Sequence, residues 1–418
     1  MSATWAGAGR LLSDALVIQL GRALQTVLNL VTFILIAREL GAHEFGIFST
    51  IVAVIAAGAA LADLGLGQLA VRAVAQAQAQ EIMGIRRALP QLYAAAGCVL
   101  IVACVISWAL AGIGPAAGIS AALIGVSYLI VQARIGVERC LWLGALQVAR
   151  ATGVELVAAV FRAAAVALVW IIGGATVLRF ASVIAVAGIA TLVVVLRFLR
   201  YPDPEVSPQA TGSSRVIGEA IPFGLSSFTW NSFVELPKLL LAPIAGPLAV
   251  GQFAAGARFL AAATLPLQSV LNVVTPRLFA AARPTGDAAA TRHHAFARSV
   301  LGVTALGAAF GVATAVFAPL VPLLLGSEYV PAIPVLRLLA PTLPFQALAF
   351  AAGDWLGGLG RQTVRLGLTV GVLALAIPVL LVTTRSLGAI GAAGGFTILT
   401  GVLALATTLA CWRSLHHP

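Results

Sequence analysis

Twelve apolar runs, each long enough to cross a bilayer, decide what this 418-residue chain can fold into. A spanning helix needs about 20 apolar residues at 1.5 Å rise per residue. The runs fall at roughly 15–37, 45–66, 90–111, 115–133, 152–173, 177–198, 217–241, 248–274, 299–325, 332–356, 362–383 and 388–411. The fourth is short, and the tenth holds three prolines. The runs are apolar all round, which argues helices; outer-membrane strands are shorter and alternate in polarity. Only 9% of the residues are charged, against roughly 25% in a soluble domain. The expected fold is therefore all-α: a polytopic membrane protein of twelve transmembrane helices.

The chain also repeats itself. Ala37, Gly41, Gly46 and Phe48 set the pattern A-x3-G-x4-G-x-F, and Ala242, Gly246, Gly251 and Phe253 set it again, 205 positions later at each place. Half of 418 residues is 209, so the repeat unit is about half the protein. Each copy lies where one apolar run gives way to the next. Residues 201–215, rich in Pro, Ser and Gly, read as a linker. This divides the chain into an N-terminal six-helix bundle over 1–200, a cytoplasmic linker over 201–215 and a C-terminal six-helix bundle over 216–418. Six spans per half is an even number, so the halves run parallel and relate by a pseudo-two-fold axis along the membrane normal. The polar stretches 70–89 and 277–298 occupy matching places in the two halves.

The net charge of +11 and pI near 10.9 would suggest nucleic acid in a soluble protein. Here they report topology. With a cytoplasmic N-terminus, seventeen arginines fall in cytoplasmic stretches, and only Arg38, Arg179 and Arg385 fall on the opposite side. The positive-inside rule then places both termini in the cytoplasm. No nucleic-acid partner is expected, and anionic headgroups suit the inner surface. No cleavable signal peptide is read at the N-terminus. The cysteines at 98, 104, 140 and 411 make no metal-type cluster, and neither a disulfide nor a metal is expected. The tryptophans at 108, 142, 170 and 355 lie toward span ends, as interface anchors do. External loops are short, which limits extracytoplasmic chemistry.

Charges within the spans mark candidate sites, because each costs roughly 2.5–3.5 kcal/mol at the bilayer centre. Arg22, Arg162, Lys238 and Arg258 are the candidate substrate-binding cations, and a chamber built from them would attract pyrophosphate or an acidic sugar. Asp63, Glu155, Glu235 and Asp354 are the candidate counter-ions or coupling residues. Glu155 and Arg162, seven apart, share a helix face. Glu235 and Lys238, three apart, can pair, either neutralising one another or serving a substrate. Pro237 between them is expected to kink the seventh span. Arg337 and Asp354 lie near the ends of the tenth span, within reach of the interface. Asp63 precedes a Gly turn and also reads as a helix-end residue.

Several segments resemble the polysaccharide-type, Wzx-like flippases of the multidrug/oligosaccharidyl-lipid/polysaccharide (MOP) exporter superfamily. They are Ala37-Arg38-Glu39-Leu40-Gly41, Phe45-Gly46-Ile47-Phe48, Asp63-Leu64-Gly65-Leu66, Ile221-Pro222-Phe223-Gly224-Leu225, Gly251-Gln252-Phe253 with Ala257-Arg258, and Leu325-Gly326-Ser327-Glu328-Tyr329. At the place of the family's second-half aspartate stands Glu235. The resemblance implies two six-helix bundles around a central cavity. It implies alternating access that carries a polyprenyl-pyrophosphate-linked oligosaccharide from the inner to the outer leaflet of the plasma membrane. The implied partners are that glycan, membrane lipids and other polysaccharide assembly proteins, with the chain itself a monomer. No cofactor is expected, and no phosphate-binding G-x4-G-K-[ST] loop is present. A drug or cation antiporter of the same superfamily would favour acidic cavity residues, whereas cations outnumber deep acids here. A membrane-embedded glycan polymerase or glycosyltransferase would need larger external loops.

Overall fold

The computed structural model describes residues 2–63, 65–76, 78–111, 115–202, 213–282, 289–359 and 361–416. Most of the expected linker, at 203–212, lies outside the described residues, as do 283–288 and the side chains of His293 and His294.

Among the described residues nine helices are long and apolar enough to cross a membrane. Three of them, Leu20–Asp63, Ser227–Gln268 and Thr363–Ser414, are each two helices joined across a kink, at Gly41, Gly246 and Gly388. Counting each as two gives the twelve spans that the apolar runs predict.

The fourth and ninth spans differ from expectation; the ninth ends at Val316 instead of near 325, and Leu320–Leu325 forms a separate short helix. The fourth span runs over Ala116–Gly144 instead of stopping near 133, because its added charges are neutralised within the protein. Arg134 pairs with Glu138 at 2.7 Å along the helix, and Glu138, with a fully buried side chain, also meets Arg86 at 3.5 Å and accepts from the Tyr201 amide at 2.8 Å. The helix that carries the seventh span begins at Ser213, and Glu219 lies in its first two turns, ahead of the apolar stretch that opens at Ser227. Pro237 does not break that helix; the break falls at Gly246.

The chain separates into two compact units. The first comprises Met1–Leu40 and Thr50–Ser232, the second Gly41–Ser49 and Phe233–Pro418. In the first unit the short helices Leu66–Ala75 and Ala79–Arg87 pack Leu66, Leu69, Ile82 and Ile85 against Val137 and Leu141, with Val216 and Ala220 of the helix leading into the seventh span. Burying such apolar surface contributes roughly 25 cal/mol per Å². Arg72 donates to Glu219 at 2.5 Å, and Arg215 donates to it at 3.2 Å. These bonds, the Arg72 one above all, hold the Glu219 carboxyl below its ordinary value.

The second unit explains the repeat. Gly41 (φ 70°, ψ 171°) and Gly246 (φ 79°, ψ 175°) adopt nearly the same backbone conformation, one essentially reserved for glycine. Each turns one helix sharply into the next. Five residues on, Gly46 and Gly251 meet. A Cβ on Gly46 would lie 1.8 Å from the Pro247 carbonyl oxygen, and one on Gly251 would lie 2.0 Å from the Ala42 carbonyl oxygen. Pro247 stands to Ala42 as Gly251 stands to Gly46, 205 positions apart, so the contact is reciprocal. Small residues allow this approach between helices in membranes. Ala37, Ala242, Phe48 and Phe253, the ends of the pattern, are all buried.

The Leu325–Tyr329 motif joins the same corner. Glu328 accepts from the Ala42 backbone N–H at 2.9 Å, capping the helix that starts after the Gly41 kink, where a negative charge suits the helix dipole. Tyr329, fully buried, packs edge-on against Phe45 with ring centres 6.3 Å apart.

Trp142 and Trp355 are not interface anchors. Both are buried, Trp142 donating to the Leu199 carbonyl at 2.7 Å and Trp355 packing edge-on against Phe296. Trp108 and Trp170 are exposed. All four cysteines are free thiols.

Candidate functional site

Three helices of the first unit wall a polar cavity of about 310 Å³. The first span contributes Gln25 and Asn29, one turn apart. The fourth contributes Gln132, Gly136 and Arg139, and the fifth Glu155, Ala158, Ala159 and Arg162, each set lying on one helical face. Gly136, Ala158 and Ala159 are small, and that leaves the room. Just before Gln132 the fourth span widens into a π-helical segment, Val126–Val131. Such segments recur at functional sites. Here the segment carries Tyr128, whose ring lies under the Arg162 guanidinium at 5.6 Å. Gln132 and Arg162 also border a narrower cleft with Ser127, Gly188 and Thr191.

Within the cavity Arg139 Nη1 donates to Glu155 Oε1 at 2.8 Å. That pair is charge-neutral. Arg162 makes no ion pair among the described residues and has the face of Tyr128 instead. The cavity walls therefore carry one net positive charge, on a planar group that can present two N–H donors to an anion. The three amide side chains each offer donors and an acceptor.

The sequence-predicted residues separate as follows. Arg162 and Glu155 share the cavity. Arg22, also in the first unit, is exposed and does not line it. Asp63 ends the second span and accepts from the Gly67 backbone N–H. Lys238 and Arg258 belong to the second unit. Lys238 pairs with Glu235, each side chain only 15% exposed, while Arg258 is exposed. Asp354 lies 3.5 Å from Arg365, where the tenth span hands over to the eleventh.

Arg139 and the three amides are the residues that sequence reasoning missed. A fourth span ending near 133 leaves Arg139 in a cytoplasmic loop, whereas the helix runs on to Gly144. The Arg134-x3-Glu138 spacing, a self-neutralising pair one turn apart, was the signal that the helix continues. Gln25, Asn29 and Gln132 stand inside apolar runs, where an amide needs a partner or water.

The chain's residues 11–281 match the family model described as polysaccharide biosynthesis protein. No curated protein matches it. Among solved structures, an inward-facing multidrug resistance MATE-family transporter of the MOP superfamily is 17% identical, covers 94% of each chain and has a TM-score of 0.74. An outward-facing one is 16% identical over 96% of this chain and 94% of its own, with a TM-score of 0.65. A MOP-superfamily transporter from Pyrococcus furiosus, described as having a binding pocket of reversed polarity, is 16% identical over 96% of this chain and 94% of its own, with a TM-score of 0.62. The fold is that of these MOP-superfamily transporters, and the apolar helices make the chain a multi-pass membrane protein. It belongs to the polysaccharide biosynthesis protein family.

Proposed function

We propose that this protein is a flippase that moves a polyprenyl-pyrophosphate-linked oligosaccharide from the inner to the outer leaflet of the plasma membrane, with both termini in the cytoplasm. The observation that carries the reading is Arg162. It is a cation without a carboxylate partner among the described residues, in a polar cavity walled by membrane-spanning helices, in a chain of the polysaccharide biosynthesis family. An uncompensated arginine at such depth is costly, and an anionic group on the cargo offsets that cost. The sugar and phosphates cannot cross hydrocarbon unaided, whereas the polyprenyl tail can stay in lipid. The two repeats, 1–200 and 216–418 joined through 201–215, are the bodies that alternate.

A drug or cation antiporter is the second reading, favoured by the MATE-type fold. The carboxylate such a cargo needs in this cavity is Glu155, and Arg139 already engages it. The test is mass spectrometry of lipid-linked glycans in cells depleted of the protein, with sidedness read by an impermeant lectin. Accumulation of complete lipid-linked oligosaccharide facing the cytoplasm supports flipping. Unchanged glycolipids together with lost drug or cation efflux refute it in favour of the antiporter.

A further inference from the structure

We infer that the cavity in the first unit is a subsite for a single carboxylate-bearing sugar of the uronic acid class, and not for the pyrophosphate of the carrier. The inference deepens the flippase reading and rests on it for the identity of the cargo. Three features of the walls point the same way.

Size comes first. At about 310 Å³ the cavity sits at the small end of ligand sites, which span roughly 300–1,000 Å³. It suits one sugar ring with its waters, not an oligosaccharide.

Charge comes second. Arg139 is engaged by Glu155 at 2.8 Å, so a single positive charge is left, on Arg162. A carboxylate matches that charge one for one, and its two oxygens match the guanidinium fork. A pyrophosphate diester carries two negative charges, and the second would face the Glu155 carboxylate across a small space. The Arg162 guanidinium sits over the Tyr128 ring, 5.6 Å from its centre, and its planar fork suits two-pronged recognition of a carboxylate.

Hydrogen-bond chemistry comes third. Gln25, Asn29 and Gln132 each present a carbonyl as well as an NH2 group, and Glu155 is an acceptor only. Sugar hydroxyls donate and accept, so they can satisfy all four residues. Phosphate oxygens only accept, and would leave the amide carbonyls without donors in a site where unpaired polar groups cost free energy.

The test uses the purified full-length protein in nanodiscs of zwitterionic lipid, with free glucuronic acid as the probe. Binding is read by saturation-transfer NMR. Glucuronate is expected to bind, with glucose weaker by about tenfold or more, the loss of one charge-assisted hydrogen bond. Arg162→Gln should abolish the glucuronate signal, and Arg162→Lys should retain part of it. Glu155→Gln, which removes the opposing charge, should let inorganic pyrophosphate compete where it does not compete in the unaltered protein. Absence of a glucuronate signal, an equal signal in Arg162→Gln, or displacement by pyrophosphate at lower concentration than glucuronate would each overturn the subsite. The depletion experiment reads flipping independently. Accumulated lipid-linked glycan without uronate binding refutes the subsite alone, and uronate binding with unchanged glycolipids refutes the flippase reading alone.

Discussion

Alanine at Gly46 and at Gly251 should each destabilise the protein, and the two changes together should cost clearly less than their sum. The added Cβ atoms would lie 1.8 Å from Pro247 O and 2.0 Å from Ala42 O, both backbone atoms, where Cβ contacts under 3.0 Å are essentially never found. No side chain can swing away to make room, so the two helices must part by about 1 Å. Overpacking of this kind costs about 1–3 kcal/mol per site, and the better helix propensity of alanine returns at most about 1 kcal/mol. Because the two overlaps face each other across one interface, the separation that relieves the first relieves the second. The coupling energy should therefore be about 1 kcal/mol or more, with the double variant the less destabilised. Propensity gains are local and cancel from that term. The assay is a double-mutant cycle by reversible SDS unfolding of the full chain in mixed micelles, followed by tryptophan fluorescence. Additivity within about 0.3–0.5 kcal/mol, the behaviour of independent sites, would refute a single reciprocal interface.

Other outcomes follow from the same geometry. Gly246→Ala has nothing within 4 Å of its added Cβ, so its cost should be the backbone strain alone, about 1–3 kcal/mol, measured by the same unfolding assay. Glu328→Ala removes the acceptor for the Ala42 amide. It should cost about 0.5–2 kcal/mol, as lost helix caps do, and raise hydrogen exchange at that amide. Arg162→Ala should abolish transport with normal membrane insertion, read as accumulated lipid-linked glycan, while Arg22→Ala tests whether an exposed arginine of the first span contributes. Glu219 is held below its ordinary 4.5, chiefly by its hydrogen bond from Arg72, so its contribution to stability is present above that value and is lost as pH falls through the lowered one. Replacing Arg72 by Gln should flatten the acid limb of the stability profile below about pH 4.5, as read by thermal unfolding across pH.

The spans were legible because a bilayer leaves the backbone no choice but closed hydrogen bonding over about 20 residues, and composition alone reports that. Their ends were less so. The fourth span carries Arg134 and Glu138 onward because they neutralise each other one turn apart, a pairing that a hydropathy count treats as a stop. Pro237 is where the sequence leads one to expect a kink, yet the helix continues through it and turns at Gly246. Half of the cavity could be anticipated, since Glu155 and Arg162 are seven apart on one helix. Arg139, Gln25 and Asn29 come from other helices, and no single-helix period relates them to Glu155 and Arg162. The glycine repeat was visible in sequence, but which glycines serve φ and which serve close approach is decided by what they meet.

The reciprocal glycine contact has a bearing on ancestry. A surface that meets a copy of itself is the signature of two-fold homodimers, and six spans per copy allow two separate chains to insert in the same orientation and dock this way. In such a dimer every substitution at the contact would strike twice. Joined into one chain, each glycine is encoded separately, and the Ala42 and Pro247 sides are free to diverge. Glu328 caps Ala42, an asymmetry that a strict homodimer could not keep to one side. Within one chain, a near-symmetric docking surface becomes one whose two sides can differ in strength.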